Sequence, residues 1–270
     1  MKKLFLGLLL LAATLSLAAC STTSTNVFEF VLDDSFTEYL TMETSADYPP
    51  FENIEEVDGK MTVVGVDIEI AKAIALSAGK NLRVVHKGFD FLITDIQDGK
   101  ADFSIAAITP TPERYEVVDF SDVYLDSDND QVAVIKTADA DTYKTLADIN
   151  LAAVKIGAQT GSLQSYILQD QAPDAYAVYL QDLNTLFENL DNGQINVLLS
   201  EKTVAETYIA AEYSDLMIAF DVYSAYSGNA VAVQKGNTEL LTIINSTIAT
   251  LKAAGQIDAW VEYYSSLYES

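Results

Sequence analysis

Residues 89–121 read FDFLITDIQDGKADFSIAAITPTPERYEVVDFS and contain the clearest succession of structural signals in the chain. Apolar residues recur at helical spacing over Phe91–Asp98, and Gly99 follows as a helix stop. The apolar stretch Phe103–Ala107 predicts a strand, and Leu82–Val85 predicts another strand ahead of the helix. A strand, a helix and a second strand in this order are typical of an α/β body with a largely parallel sheet.

The same pattern predicts further elements on both sides of this segment. Upstream, it predicts a strand over Tyr39–Glu43 and a helix over Asp67–Ser77. Two α/β units in one chain indicate two lobes with a cleft between them, although periodicity alone also allows a single larger sheet. The elements predicted downstream are the strands Ala153–Ala158, Ala177–Tyr179 and Val197–Leu199, and the helices Gly161–Gln169, Leu183–Asp191, Leu240–Ala254 and Ile257–Tyr268.

The N-terminal segment has the composition of a secretory signal peptide. Lys2 and Lys3 precede an apolar run over residues 4–17, and small residues follow it. The run LAAC, which ends at Cys20, resembles the lipobox of bacterial lipoproteins. In such proteins the cysteine becomes the new N-terminus and carries lipid.

We therefore expect a signal peptide at residues 1–19 and a lipidated tether at residues 20–36. Acyl chains on Cys20 would hold the body at the outer face of the cytoplasmic membrane, in an extracytoplasmic location. A plain signal peptide that ends near a cysteine, or a buried free cysteine, is the alternative.

Charge and composition exclude several classes of function. The chain has 40 acidic against 15 basic residues, a formal net charge of −25. Such a charge repels phosphate backbones and anionic lipid headgroups, so nucleic acid is not an expected partner. His86 is the only histidine and Cys20 the only cysteine. A histidine metal site, a Ser-His-Asp triad and a disulfide are therefore not expected, and no motif indicates a cofactor.

Several ordered motifs together resemble the polar amino-acid-binding proteins of bacterial ABC importers, the extracellular solute-binding proteins of family 3. The resemblance extends over roughly residues 39–268. It implies the two-lobed periplasmic-binding-protein fold of type II, in which the lobes close on the ligand. The motifs are TSADYPPF at 44–51, GVDIEIA at 65–71, FDFLI at 89–93, DGKAD at 98–102, ITPTPER at 108–114, VDFS at 118–121 and GAQTGS at 157–162.

The resemblance also implies how the lobes are divided along the chain. Lobe 1 is discontinuous and consists of residues 37–125 and 225–270. Lobe 2 consists of residues 130–223. Hinge strands at residues 126–131 and 222–227 connect the two.

Three residues of lobe 1 match family positions that hold the ligand's backbone groups. Arg114 matches the arginine that binds the ligand's carboxylate. Its planar guanidinium can donate two parallel hydrogen bonds to such a group. Thr109 matches a second carboxylate contact. Ala107 stands where the family often has a hydroxyl, so only its carbonyl can accept a bond from the ammonium. A surface arginine paired with an acidic neighbour, and a turn residue at 109, are the alternatives.

Three residues of lobe 2 complete this set. Gly161 and Ser162 open a predicted helix, whose free N–H groups and partial positive charge suit an anion. Ser162 could instead be an ordinary helix cap. Glu201 matches an aspartate that pairs with the ammonium, and its extra methylene changes the geometry. It could also be a solvated charge at a strand end.

Two aromatic residues match positions that flank the ligand's side chain. The faces of Tyr48 and Phe89 could hold an aliphatic stem or a cation, although both residues could belong to the core.

At position 45 this chain has serine, whereas several family members that bind basic ligands have aspartate at the matching position. A neutral residue at 45 argues against a site specific for lysine or arginine.

The function that the resemblance implies is capture of a polar amino acid by a monomer and its delivery to an ABC permease. A binding protein rather than an enzyme is therefore expected. A ligand sensor or adhesin of the same fold is one alternative. A cyclohexadienyl dehydratase-like enzyme is another, in which Glu201 or Glu69 would act as the acid.

Overall fold

The computed structural model describes residues 26–126 and 131–268, and its strands and helices alternate over most of this length. The strands are β1 (Val27–Phe30), β2 (Tyr39–Thr44), β3 (Asp47–Tyr48), β4 (Glu52–Val57), β5 (Lys60–Val64), β6 (Asn81–His86), β7 (Phe103–Ser104), β8 (Val118–Phe120), β9 (Gln131–Lys136), β10 (Lys155–Gln159), β11 (Tyr176–Leu180), β12 (Val197–Glu201), β13 (Leu216–Asp221) and β14 (Ala232–Gln234). The helices are α1 (Val66–Ser77), α2 (Phe89–Gln97), α3 (Pro112–Tyr115), α4 (Leu146–Ile149), α5 (Leu163–Gln171), α6 (Leu183–Asp191), α7 (Lys202–Ala211), α8 (Thr238–Ala253) and α9 (Gln256–Ser266).

These strands form two main sheets, which are the centres of the two lobes. The first sheet has the order β1-β6-β2-β7-β14-β8, and the second has the order β11-β10-β12-β9-β13. Helices α1 and α2 pack on the first sheet, and α5, α6 and α7 pack on the second. The first sheet takes β14 from the end of the chain, after the whole second sheet, so its lobe is discontinuous as predicted.

The prediction that the sheet is largely parallel is wrong in part. Strand β2 is parallel to β6 and β7, and β10 is parallel to β11 and β12. Strands β14 and β9, however, are antiparallel to both of their neighbours. These are the strands with which the chain enters one sheet after leaving the other, so their direction is set by the crossing and not by a βαβ unit.

Most predicted elements are present with shifted ends. Helix α6 has the predicted bounds, and α8 and α9 are separated around Gly255 as expected. The predicted strand Phe103–Ala107 is shorter, because only Phe103–Ser104 is paired in the sheet. Residues 27–30, which the sequence placed in the tether, form the edge strand β1 and bury Phe28.

Helix α1 shows how tightly the first lobe is packed. Its cap Gly65 has φ 128°, and a Cβ there would lie 2.1 Å from the carbonyl oxygen of Phe51. Only glycine allows that approach. The buried face of α1 includes Ile70 and Ile74, which are fully shielded from solvent with Phe51. This packing fixes the strand-and-turn segment after β2, which forms one side of the cleft.

Two segments join the sheets, one between β8 and β9 and one between β13 and β14. The N–H of Asn229 donates to the carbonyl of Leu125 at 2.9 Å, and the N–H of Val222 donates to Gln131 at 2.7 Å. The crossings therefore lie side by side.

The hinges predicted at residues 126–131 and 222–227, and their bending, remain a prediction. Residues 127–130, like the signal peptide and Cys20, lie outside the described residues.

Candidate functional site

A small cavity of about 20 Å³ lies between the two lobes. It has room for about one water molecule, so the two lobes lie close together around it. Its walls come from β3 and the loop after β7 on one side, and from the ends of β10 and β12 and the start of α5 on the other. The lining residues are Tyr48, Phe89, Ala106, Ala107, Thr109, Arg114, Gln159, Ser162, Leu163, Gln164 and Glu201.

Arg114 is the cation of this cavity. It lies on the short helix α3 and is only 5% exposed. Its Nη1 donates to the carbonyl of Thr109 at 2.6 Å, and its Nη2 donates to the carbonyl of Gly161 at 3.0 Å. The guanidinium also lies 5.4 Å from the centre of the Phe89 ring. These hydrogen bonds to both lobes hold the guanidinium at the boundary between the lobes.

The charge of Arg114 is influenced by its neighbour Glu113 but has no direct ion pair among the described residues. Burial lowers the pKa of its guanidinium to about 10, which leaves it protonated at neutral pH. Among the described residues, no salt bridge includes Arg114. Two carbonyls solvate it in part, but a buried cation is best stabilised by an anion.

Ala107 has an unusual backbone conformation next to Arg114. Its φ is 44°, in the left-handed region that residues with a Cβ rarely adopt. Its N–H donates to Oδ2 of the buried Asp67 at 2.8 Å. The same oxygen accepts from the hydroxyl of Tyr124 at 3.0 Å. Asp67 therefore holds the Ala107 peptide in place from beneath the cavity.

Ser162 and Gly161 form the second-lobe wall opposite Arg114. The hydroxyl of Ser162 accepts from the N–H of Ser165 at 3.1 Å and donates to the carbonyl of Gln159 at 2.7 Å. It therefore caps α5, as the alternative interpretation proposed. Gly161 has φ 75°, and a Cβ there would lie 3.2 Å from the Cα of Asp90 in the first lobe. Glycine at this position lets the lobes approach each other.

Glu201 supplies the negative charge of the cavity. It ends β12, precedes α7 and is 4% exposed. The hydroxyl of Tyr48 lies 3.5 Å from its Oε2, a long contact that spans the two lobes. The cavity thus holds one guanidinium and one carboxylate, together with uncharged polar groups.

The sequence matches a family model over residues 40–266, and the model describes bacterial extracellular solute-binding proteins, family 3. The matched region includes both sheets, except β1, and all the residues that line the cavity. The chain belongs to this family.

Similarity to known proteins supports the assignment of this chain to the family. The arginine-binding extracellular protein ArtP of Bacillus subtilis is 31% identical over 263 residues, which is 96% of each chain. The substrate-binding protein AbpA of Streptococcus pneumoniae, in a crystal structure with L-arginine, has a TM-score of 0.81 and 33% identity. That match covers 86% of this chain and 96% of AbpA.

A second similar structure is that of an ancestral amino-acid-binding protein, a precursor of cyclohexadienyl dehydratase. It has a TM-score of 0.75 and 28% identity, and it covers 84% of this chain and 95% of that one. Glu69, one acid considered for a dehydratase, bonds with Lys72 and Tyr264 and is not among the residues that line the cavity.

Seven of the eight predicted ligand contacts line the cavity, and the eighth, Gly161, bonds to Arg114. Whether they bind ligand remains a prediction. Gln159 and Gln164 were missed, although both line the same space. Gln159 ends β10, and the carboxyl end of a parallel strand next to a crossover is a usual place for ligand contacts. The place of Gln159 at the end of a predicted strand was therefore the signal that could have identified it.

Sequence analysis also missed three buried acids near the cavity, because Asp and Glu side chains are mostly exposed and no local motif marks these as buried. Asp47 is 3% exposed, and Glu52 and Asp67 are fully buried. Burial raises the pKa of Asp47 and of Asp67 to about 6 and raises that of Glu52 well above its usual value. The hydroxyl of Ser45, the residue that departs from the aspartate of some family members, donates to Asp47 at 2.8 Å.

A larger groove of about 600 Å³ lies outside the same junction of the lobes, between α3, α5 and residues 223–226. Its charged lining residues, Glu113 and Asp170, are both acidic. In the smaller cavity, by contrast, opposite charges from the two lobes meet, because Arg114 and Glu201 both line it.

None of the helices within residues 26–126 and 131–268 is both long and apolar enough to cross a membrane. In the same residues, no group of His, Cys, Asp or Glu side chains is arranged to hold a metal ion.

Proposed function

We propose that this solute-binding protein captures one amino acid between its lobes and delivers it to an ABC permease. The observation that carries the proposal is Arg114, a guanidinium 5% exposed that reaches both lobes and has an acid from the second lobe across the cavity. An amino-acid zwitterion carries one anion and one cation. Each would meet its opposite when the lobes close.

Each ligand group has a proposed partner. The carboxylate pairs with the guanidinium of Arg114 and with Thr109, and the ammonium pairs with Glu201 and the carbonyl of Ala107. Such charge-assisted bonds are roughly twice as strong as neutral ones. Gly161 and Ser162 close the second-lobe side.

The ligand's side chain lies between the aromatic faces of Tyr48 and Phe89. The amides of Gln159 and Gln164 line the same cavity and can donate or accept hydrogen bonds. Such walls can form hydrogen bonds with the side chain of a polar amino acid. The names of ArtP and of AbpA with L-arginine make arginine the first ligand to test.

The proposed location is the outer face of the cytoplasmic membrane, with the monomeric protein anchored by lipid on Cys20. The lipobox-like run LAAC supports this. Mass spectrometry of the mature N-terminal peptide should find an acylated Cys20. An N-terminus without lipid would contradict the anchor and leave the binding proposal intact.

The binding proposal is tested by calorimetry with the twenty amino acids and cystine. At least one should bind, and Arg114→Ala should weaken that binding by about 10- to 150-fold, the value of a hydrogen bond to a charged group. Arg83→Ala is the matched control, because Arg83 bonds to Glu29 on the surface of the first lobe. Equal affinities for the two variants would overturn the role of Arg114.

Delivery to a permease is tested separately, by ligand-stimulated ATP hydrolysis of the cognate transporter in vesicles. Binding without stimulation would favour the sensor or adhesin. Release of an aromatic product from prephenate or arogenate would favour the dehydratase.

A further inference from the structure

Asp47 is a buried acid of the first lobe whose main partners belong to the second. It lies in the two-residue strand β3, which pairs with β4. Within its own lobe, its Oδ1 accepts from the hydroxyl of Ser45 at 2.8 Å. Its side chain is not among those that line the ligand cavity.

Three elements of the second lobe meet at Asp47. The N–H of Leu183, the first residue of α6, donates to Oδ2 at 2.7 Å. Nε2 of Gln159, at the end of β10, lies 3.1 Å from the same oxygen. The hydroxyl of Tyr208, on α7, donates to the backbone carbonyl of Asp47 at 2.9 Å.

The contact with α6 has a clear physical basis. The first N–H groups of a helix have no partner within the helix, and that end carries partial positive charge. Asp182 caps α6 by accepting from the N–H of Thr185 at 2.7 Å, which leaves the N–H of Leu183 for another acceptor. Asp47 supplies that acceptor from the opposite lobe.

Gln159 connects this contact to the ligand cavity. Its amide donates to Asp47 and, at 3.0 Å, to the carbonyl of Gln181. Its own carbonyl accepts from the hydroxyl of Ser162. Any separation of the lobes at Asp47 therefore removes one of the two partners that hold this side chain in the cavity wall.

We propose that Asp47 is a positioning residue that latches the second lobe onto the first and slows release of the captured ligand. The inference rests on the proposed function. Asp47 acts through the N–H of Leu183, the amide of Gln159 and the hydroxyl of Tyr208, and not by touching the ligand.

The first test is Asp47→Asn, measured by stopped-flow release of L-arginine, or of whichever of the twenty amino acids binds. Asparagine has the same shape, but it has no charge and turns one acceptor into a donor that faces other donors. Release should become about 10- to 150-fold faster, as expected for the loss of hydrogen bonds to a charged group. The thermal midpoint of the ligand-free protein should change little, because the latch acts between the lobes.

A milder variant provides a matched pair. Tyr208→Phe removes only the hydroxyl bonded to Asp47 and Asn184, and release should become about 2- to 12-fold faster, the value of a neutral bond. Tyr264→Phe is the control, because that hydroxyl bonds to Glu69 at 3.1 Å within the first lobe. Release from the control should equal that from the wild type.

The outcomes separate this inference from the proposed function. Unchanged release from both Asp47→Asn and Tyr208→Phe, with normal binding by the wild type, would overturn the latch alone. If the wild type binds none of the amino acids, the proposed function fails. In that case, hydrogen exchange tests the latch. The N–H of Leu183 should exchange faster in Asp47→Asn than in the wild type. Equal exchange in the two proteins would overturn the latch.

Discussion

The two walls of the cavity carry opposite charges and hold them in different ways. In the first lobe, the cation Arg114 donates to one carbonyl of each lobe, and the Ala107 peptide beside it is held by the buried Asp67. In the second lobe, the anion Glu201 lies where β12 passes into α7. Each wall therefore supplies one charge. Under the proposed function, a zwitterion satisfies both charges only when the walls come together, which would couple binding to closure.

The second wall is tested directly by Glu201→Gln. The amide keeps the size of the side chain but loses the charge that pairs with the ligand's ammonium. Affinity should fall by about 10- to 150-fold. Glu206→Gln, an exposed acid on the following helix, is the control and should leave the affinity unchanged. Calorimetry that gives equal affinities for the two variants would remove Glu201 from the site.

The approach of the two walls is tested by Gly161→Ala. The new methyl group would lie 3.2 Å from the Cα of Asp90 across the cleft, so that closure requires a backbone shift. Affinity should fall by about tenfold, which corresponds to about 1.4 kcal/mol.

The control for this prediction is Gly79→Ala. Gly79 has a similar φ of 68°, but no atom lies within 4 Å of the added Cβ. Both variants introduce the same backbone strain, and only one obstructs closure. Isothermal titration that shows equal losses of affinity would attribute the effect to strain.

The smallest effect is expected at Glu52→Gln, beneath the first wall. The carboxyl groups of Glu52 and Asp67 are fully buried and interact with each other. Burial, followed by the charge of Asp67, raises the pKa of Glu52 well above its usual value, which favours the protonated form. Glutamine resembles that protonated form. At pH 7, the free energy of unfolding should change by less than about 1 kcal/mol.

The same variant predicts the direction of a pH effect. The raised pKa of Glu52 means that the folded state keeps a proton that the unfolded chain gives up. This contribution to stability is complete below the unfolded value and is lost as pH rises through the folded value. Between pH 5 and 9, wild-type stability should therefore fall more steeply than that of Glu52→Gln in denaturant titrations. Parallel curves would contradict a protonated Glu52.

The sequence was most informative where function requires a particular side chain at a fixed place along the chain. Arg114, Thr109 and Ala107 lie within eight residues, so a local motif was enough to bring them together. Sequence could not predict Asp47, because its partners Leu183 and Tyr208 lie 136 and 161 residues away. Charge alone favoured a solvated surface for such an acid.

By itself, the sequence determined the alternation of strands and helices, the family and the residues that supply the two charges of the cavity. These properties depend on periodicity and on short motifs, which are local. The tertiary structure decided the direction of β9 and β14, the use of the Ser162 hydroxyl as a helix cap and the burial of Asp47, Glu52 and Asp67. These depend on which distant segments meet, and burial, hydrogen-bond partners and pKa values exist only after that meeting.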